Sequence, residues 1–197
     1  MDNLFGKIKG VQAYQDDILI FADSLEEHNK VLRQVLSVLI DTGLTIRRDK
    51  CKFATQELEY LGHTISATGI KLRFCIIKAI RDATPKDRDA LRSFLGLTEY
   101  CACFVQGYAK LVEPLCNLMR KGVNFEWTED LSETFEKLKK VIEESSALHV
   151  FKSRSKCVIT VDARLIGSGA VLSQWVSGRE QTVAFASRRF GDPLQHN

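Results

Sequence analysis

The sequence predicts an α+β chain, because segments with strand character and segments with helix character alternate along its 197 residues. Residues 11–21 hold two apolar, β-prone runs on either side of two adjacent aspartates. Residues 24–43 carry apolar side chains at intervals of three and four, the spacing of one helix face. Residues 157–186 hold further β-prone runs around a glycine-rich turn. Strands therefore flank a helical middle.

The first strand pair is predicted at residues 11–21, with Asp16 and Asp17 at the tip of a tight hairpin. Neighbouring carboxylates repel each other, and a cation that neutralises them lowers that cost. Such a tip would present both side chains to a divalent metal. The second arm, residues 18–22, is continuously apolar and predicts a strand covered on both faces. An ordinary aspartate-rich turn is the alternative, because short motifs recur by chance.

Helix signals follow along the chain. Ser24 and Glu27 form a capping box, and Gly43 suits a left-handed helix end. Thr84-Pro85 predicts a second helix start, and Thr128 predicts the cap of a helix from about 129 to 145. The buried face of the first helix is predicted to consist of Leu25, His28, Val31, Leu32, Val35 and Leu39.

Short strands are predicted at residues 44–46 and 51–53, with a basic run between and beside them. That run is either a solvated face or a set of phosphate contacts. Residues 59–66 predict a strand pair in which Gly62 allows tight curvature. Near the C-terminus, strands are predicted at 157–161, 170–176 and 182–186, with Asp162 ending the first of them. A lone aspartate at a strand end is the alternative to a functional role for Asp162.

The composition is that of a soluble globular protein, with 45% hydrophobic and 27% charged residues and a net charge of +3. The small positive charge is compatible with nucleic-acid contact without demanding it. No apolar stretch of about 18 residues exists, so no membrane span is expected. The six cysteines form no Cys-x-x-Cys pair, which argues against zinc and favours reduced thiols in an intracellular protein.

Several motifs in a fixed order resemble the polymerase polyprotein of Ty3/gypsy-type long-terminal-repeat retrotransposons. Tyr-x-Asp-Asp between apolar strands resembles the catalytic hairpin of reverse transcriptases. The blocks that carry the rest of the resemblance are 60–66 (Tyr-Leu-Gly-His-Thr-Ile-Ser), 91–97 (Leu-Arg-Ser-Phe-Leu-Gly-Leu), 125–127 (Phe-x-Trp), 161–163 (Val-Asp-Ala), 167–174 and 184–188. Together they cover almost the whole chain, and their order is more specific than any single block.

The resemblance implies three regions: a reverse-transcriptase palm remnant at 1–70, a helical thumb at 71–123, and a connection with the first strands of a ribonuclease H-like domain at 124–197. Asp16 and Asp17 match the second and third polymerase carboxylates, and Asp162 matches the first ribonuclease H carboxylate. These would bind Mg²⁺ or Mn²⁺. The residues implied in contacts with a primer–template duplex are Tyr14, Gln15, the primer-grip-like Leu61, Gly62 and His63, and Arg92, with Lys110 as a further phosphate contact.

Departures from the family pattern are equally informative. Only about ten residues precede the hairpin, so the family's upstream first carboxylate is expected to be absent. Cys101, Ala102 and Cys103 stand where the family has a tyrosine and two arginines, and Arg164 replaces a serine. The chain is therefore expected to be truncated at both ends. Its catalytic carboxylate set is incomplete unless an upstream segment or a partner chain supplies the rest.

Two functions remain open from the sequence. The first is a retrotransposon-derived RNA-directed DNA polymerase segment that is inactive as an isolated chain, with primer–template and nucleoside triphosphate as partners of the parent enzyme. The second is a non-catalytic remnant that binds nucleic acid or another protein.

Overall fold

A computed structural model describes residues 2–164 and 167–190 of the chain. It divides into an N-terminal unit, Met1–Tyr60, and a C-terminal unit, Leu61–Asn197. The mixture of helices and strands confirms the α+β prediction. Across the described ranges, none of the helices combines the length and apolar character that crossing a membrane requires.

The N-terminal unit packs a two-stranded hairpin against one long helix. Its core consists of the buried side chains of Phe5, Ala13, Val35 and Leu39. The elements are α1 (Asp2–Phe5), β1 (Val11–Tyr14), β2 (Asp17–Ile20), α2 (Leu25–Thr42), a 3-10 turn (Arg48–Lys50) and β3 (Glu57–Tyr60).

Helix α2 begins and ends where its capping residues predict. The Glu27 amide donates to Ser24 Oγ at 3.2 Å, and Gly43 ends the helix with a φ of 69°. Val31, Val35 and Leu39 are buried as expected. Leu25 is 63% exposed, so its predicted burial is wrong: the small core reaches only the middle and last turns of α2.

The strands predicted at 44–46 and 51–53 are wrong. This stretch is irregular and mostly exposed, with a 3-10 turn in its middle, and Arg47 pairs with Asp49 at 2.7 Å. An extended segment becomes a strand only when a neighbour pairs with it, and none of the described strands does so here.

The predicted coverage of the second hairpin arm on both faces is also wrong. Ile18 to Ile20 are only half-buried, and Phe21 is 57% exposed. The hairpin is a sheet of two strands, and its core contacts lie on the face that carries Ala13 and Ile18. Apolar side chains on the other face therefore meet solvent.

The C-terminal unit builds a helical core beside an antiparallel sheet. Its elements are β4 (His63–Ser66), β5 (Gly69–Leu72), α3 (Phe74–Asp82), α4 (Arg88–Glu99), a 3-10 turn (Ala102–Phe104), α5 (Tyr108–Leu118), α6 (Glu129–Glu143), β6 (Lys156–Arg164), β7 (Gly167–Val176) and β8 (Arg179–Arg189). Strands β6, β7 and β8 form one antiparallel sheet with β7 in the middle. Leu91, Leu115, Leu138 and Ile142 are among the fully buried side chains that join the helices.

Two element boundaries in this unit differ from the prediction. Helix α4 begins after Asp87, whose Oδ1 accepts from the Ala90 amide at 2.8 Å, and not at Thr84-Pro85. The Asp87 side chain satisfies one free amide of the first turn, and its negative charge suits the positive end of the helix dipole. Strand β6 continues past Asp162 to Arg164, so Asp162 lies within the strand and does not end it.

The sequence did not predict strand β5, since helix was expected from residue 71 onward. Gly69 permits it, because a Cβ there would lie 2.2 Å from the Leu148 carbonyl oxygen. Ile70 and Leu148 exchange two backbone hydrogen bonds at 2.7 and 2.9 Å. The strand thus depends on a partner segment far along the chain, which local sequence patterns do not reveal.

Two leucines of α2 provide a matched test of this packing. Leu39→Ala should lower the free energy of unfolding by about 2–5 kcal/mol, because it opens a cavity in the N-terminal core. Leu25→Ala in the same helix should change it by less than about 0.5 kcal/mol, because Leu25 faces solvent. Urea unfolding monitored by circular dichroism measures both. Equal losses would contradict the helix orientation described here.

Candidate functional site

The Tyr-x-Asp-Asp hairpin presents its carboxylates to solvent. Strand pairing joins Tyr14 to Asp17, which leaves Gln15 and Asp16 as a two-residue turn. Gln15 has a φ of 48°. Tight hairpin turns require such a positive φ, which residues other than glycine rarely adopt. Asp16 and Asp17 are both exposed. The prediction that both lie at the tip holds for Asp16, whereas Asp17 is the first residue of β2.

Alternation across the hairpin separates a packed face from an open one. Ala13 pairs with Ile18, and both pack into the core of the N-terminal unit. The next pair, Tyr14 and Asp17, therefore points to the opposite side, where Tyr14 is 51% exposed. The hairpin places an aromatic ring and a carboxylate side by side on its open face.

These carboxylates have the right chemistry for Mg²⁺, which prefers oxygen ligands and is held through one or two carboxylates together with substrate phosphates. Within the described residues, no group of three histidine, cysteine, aspartate or glutamate side chains is arranged to hold a metal ion. Asp162 belongs to the other unit. The hairpin thus fits a metal held partly by substrate, and does not form a closed protein site.

Tyr100 contacts a second turn that the sequence predicts to be functional, at Leu61, Gly62 and His63. Leu61 and Gly62, between β3 and β4 in the chain, both have positive φ, 46° and 77°. Tyr100 Oη donates to the Leu61 carbonyl at 2.6 Å and lies 2.8 Å from His63 Nε2. The rings of His63 and Tyr100 stack with centroids 4.8 Å apart, and Phe104 packs against His63 at 5.5 Å.

The hairpin turn Ser177-Gly178 provides an internal comparison. Its φ angles, 53° and 75°, nearly equal those of Leu61 and Gly62. A Cβ added at Gly178 would meet nothing within 4 Å, whereas one added at Gly62 would lie 2.4 Å from Tyr100 Oη. Positive φ is therefore a general property of these tight turns, and the bracing by Tyr100 is particular to residues 61–63.

One exposed face of α4 leads toward that turn. Arg92, Gly96 and Tyr100 are spaced four residues apart, which places them on one side of the helix. Arg92 pairs with Asp89 at 2.5 Å, but both side chains are mostly exposed, so the pair is weak and easily exchanged for another anion. A Cβ at Gly96 would meet no described atom within 4 Å. Gly96 therefore makes no close packing contact within the described chain.

Residues 101–103, which stand where the family pattern has a tyrosine and two arginines, add no charge to this region. Cys101 is buried, and burial raises the pKa of its thiol to about 12, so the thiol is neutral at physiological pH. Ala102 is apolar, and burial also raises the pKa of the half-buried Cys103. All six cysteines are free thiols.

Asp162 lines a cleft of about 330 Å³ between the N-terminal end of α5 and the sheet. The Ala109 amide donates to Ser187 Oγ at 2.9 Å and so fixes the helix against β8. This contact brings Lys110 into the same cleft. The other charged side chains that line the cleft are Glu113, Arg188 and Arg189, and no sequence motif marks them as functional.

Tyr100 is a further site residue that the sequence patterns do not indicate. Tyr100 follows the block 91–97 that resembles the family, but its partners Leu61 and His63 are far from it in sequence. The spacing of four residues from Arg92 to Gly96 and from Gly96 to Tyr100 is the sequence signal that places Tyr100 on the same side of the helix as these two residues. The structure brings Tyr100, Leu61, Gly62 and His63 together, whereas the aspartates of the hairpin lie in the separate N-terminal unit.

Comparison with known families gives two matches. Residues 1–65 match the family described as reverse transcriptase (RNA-dependent DNA polymerase). Residues 127–196 match the RNase H-like domain found in reverse transcriptase. The two ranges contain Asp16 and Asp17 in the first and Asp162 in the second.

Individual proteins agree with these matches. The chain is 37% identical over 183 residues to the retrovirus-related Pol polyprotein from transposon 297 of Drosophila melanogaster, and it spans 17% of that protein. It is 34% identical over 165 residues to the transposon Tf2-3 polyprotein of Schizosaccharomyces pombe, and it spans 12% of its length. The alignments cover 91% and 83% of this chain, respectively.

Solved structures of foamy viral protease-reverse transcriptase have a similar fold. The complex of the dRH form with double-stranded DNA aligns with a TM-score of 0.86 at 25% identity, over 97% of this chain and 34% of that chain. The complex with an RNA/DNA hybrid aligns with a TM-score of 0.83 at the same identity, over 26% of that chain. With the two family matches, these similarities assign the chain to the reverse transcriptase and RNase H-like part of the long-terminal-repeat retrotransposon Pol polyprotein family.

Proposed function

We propose that this chain is a segment of a retrotransposon-derived reverse transcriptase whose parent enzyme copies RNA into DNA by two-metal nucleotidyl transfer. The observation that carries the proposal is the exposed hairpin, in which tight pairing of Tyr14 with Asp17 presents Asp16 and Asp17 together. The partners of the parent enzyme would be a primer–template duplex and a nucleoside triphosphate.

Asp16 and Asp17 are the side chains that would hold Mg²⁺ or Mn²⁺. A divalent ion bound there would lower the pKa of the primer 3′-hydroxyl and stabilise negative charge on the transferred phosphate. Asp16, at the turn, is the better placed for direct contact, and Asp17 would act as a weaker ligand. Tyr14, beside Asp17 on the open face, and Gln15 would line the duplex near the primer end.

The 197-residue polypeptide alone should not polymerise. Two carboxylates can hold one ion with help from substrate, but a second ion and the incoming nucleotide need ligands that the described residues do not group at the hairpin. Loss of one preorganised charge-stabilising group typically costs about 10²–10³ in rate. Asp162 similarly belongs to no group of three side chains arranged to hold a metal ion among the described residues, so nuclease activity is not expected either.

Duplex contact in the C-terminal unit would use the exposed face of α4 together with the turn at Leu61–His63. Arg92 would contact a phosphate, since its exposed pair with Asp89 competes poorly with a polyanion. Gly96 would let the backbone of a nucleic acid approach the helix. Lys110, which lines the cleft beside Asp162, would make a further phosphate contact.

The second candidate is a non-catalytic remnant that retains only nucleic-acid or protein binding. The absence of a three-ligand metal cluster among the described residues favours it for the isolated chain. Under this alternative the phosphate contacts of α4 would persist, and binding would weaken steeply with salt. The two candidate functions differ in one outcome: whether primer extension that requires Asp16 and Asp17 can be restored.

Primer extension on a primed RNA template with Mg²⁺ or Mn²⁺ tests the catalytic proposal. The isolated chain should give no extension. Addition of the upstream segment of a related polyprotein should give extension that Asp16→Asn/Asp17→Asn abolishes, because the metal loses its ligands. Asp23→Asn, another exposed aspartate nearby, should leave that extension unchanged.

Extension by the isolated chain would refute its proposed inactivity. Complemented extension that survives the double substitution would refute the role of the aspartates. Manganese binding provides an independent measure: paramagnetic broadening of the amide signals of residues 14–18 should occur in the wild type and be lost in the double variant.

Gly96→Ala tests whether Gly96 serves duplex binding or the stability of helix α4. It should raise the free energy of unfolding by about 0.5–1 kcal/mol, because alanine is the better helix former and its Cβ meets no described atom. Fluorescence anisotropy should nevertheless show weaker binding to an RNA/DNA duplex at low salt. Unchanged or tighter binding by this more stable variant would remove the α4 face from the proposed interface.

A further inference from the structure

The Tyr100 hydroxyl carries a single proton, so it donates only one of its two hydrogen bonds and accepts the other. The Leu61 carbonyl oxygen can only accept, so the single hydroxyl proton of Tyr100 lies in the 2.6 Å contact with it. Partial burial raises the pKa of Tyr100, which keeps that proton in place at physiological pH. Toward His63 Nε2, at 2.8 Å, the hydroxyl oxygen must therefore accept.

This direction assigns the tautomer of His63. Nε2 carries the proton, so Nδ1 has an unprotonated lone pair. Nδ1 is buried and has no hydrogen-bond partner among the described residues. Burial lowers the pKa of His63, which keeps the ring neutral and preserves the arrangement. The ring stacking and the hydrogen bond to Tyr100 thus hold the histidine in one orientation.

The same hydroxyl stabilises a strained backbone. Leu61 holds a left-handed φ of 46°, a backbone conformation that is unfavourable for a residue with a Cβ. The bond from Tyr100 to the Leu61 carbonyl offsets that cost and fixes the plane of the following peptide. Gly62 leaves the space that the hydroxyl occupies, since any larger residue would collide with it.

We propose that Tyr100 is a positioning residue for the turn Leu61–Gly62–His63, and that its hydroxyl sets where this turn contacts the 3′ end of a primer strand. The inference rests on the proposed function, because it assigns Tyr100 a task within that duplex interface. Tyr100 itself acts through the turn, and its ring links the turn to the exposed face of α4.

Tyr100→Phe tests the proposal because it removes the hydroxyl and keeps the ring. Binding is compared between a primer–template with a recessed 3′ end and a dumbbell duplex of equal length without a free end. The dissociation constant for the recessed end should rise about threefold to tenfold, the effect of losing one hydrogen bond of ordinary strength. The dissociation constant for the dumbbell should stay within about twofold, since α4 still holds the backbone.

Two glycine variants provide a matched control. Gly62→Ala should reproduce the effect of Tyr100→Phe, because its Cβ displaces the hydroxyl. Gly178→Ala introduces similar backbone strain in an open turn and should leave both affinities unchanged. Circular dichroism establishes that each variant is folded before its binding is compared.

Nitrogen-15 NMR of the His63 ring gives a readout that does not depend on nucleic acid. The wild type should show a protonated Nε2 and an unprotonated Nδ1. Tyr100→Phe should give a mixture of tautomers, because the proton on Nε2 loses its acceptor. A wild-type ring protonated at Nδ1 would overturn the proton assignment and the proposal with it.

The binding outcomes separate this inference from the proposed function. If the wild type binds neither duplex, the proposed interface is wrong, and the role of Tyr100 is wrong with it. If the wild type binds but Tyr100→Phe weakens both duplexes equally, or neither, the interface stands and the positioning role is overturned. A loss of affinity that is confined to the duplex with the recessed 3′ end supports both the proposed interface and the positioning role of Tyr100.

Discussion

The burial of the apolar faces of α4, α5 and α6 against one another is the constraint on which the C-terminal unit depends. Leu91, Leu115 and Leu138 are completely buried there. The buried hydroxyls of Thr98 and Tyr108 are satisfied inside this packing, since they lie 2.9 Å apart. Because α4 turns its apolar side inward, its opposite side is obliged to face solvent. The exposed strip of Arg92, Gly96 and Tyr100 is a geometric consequence of the core.

The same packing explains how a functional turn can be held by a residue far away in sequence. Tyr100 follows the last turn of α4, so its position is set by the rigid helix. A side chain anchored in this way can brace a strained turn such as Leu61-Gly62. In the N-terminal unit, the Asp16 and Asp17 hairpin depends on its own core and on the alternation of side chains across two strands. Each candidate site is therefore supported by a different hydrophobic core.

Local signals predicted the elements with strong caps and regular spacing. Ser24, Gly43 and Thr128 act as predicted, because capping depends on residues only a few positions apart. The strands at 44–46 and 51–53 failed because strand formation needs a partner, which local sequence does not supply. At the start of α4, Asp87 provides the cap, although Thr84-Pro85 matched the simpler rule. The bracing of Leu61 by Tyr100 could not be predicted because it is a contact through space. The division at residues 70 and 123 stays a prediction.

The short bridge between Ile70 and Leu148 has a consequence for how the C-terminal unit assembles. Its two hydrogen bonds join backbone on either side of helices α3 to α6, so they close a long loop whose closure entropy the helix packing has to offset. Gly69 makes this closure possible by admitting the Leu148 carbonyl. The bridge therefore depends on the packing of the helical layer, and the exchange of the Ile70 and Leu148 amides with deuterium would report whether that layer is docked.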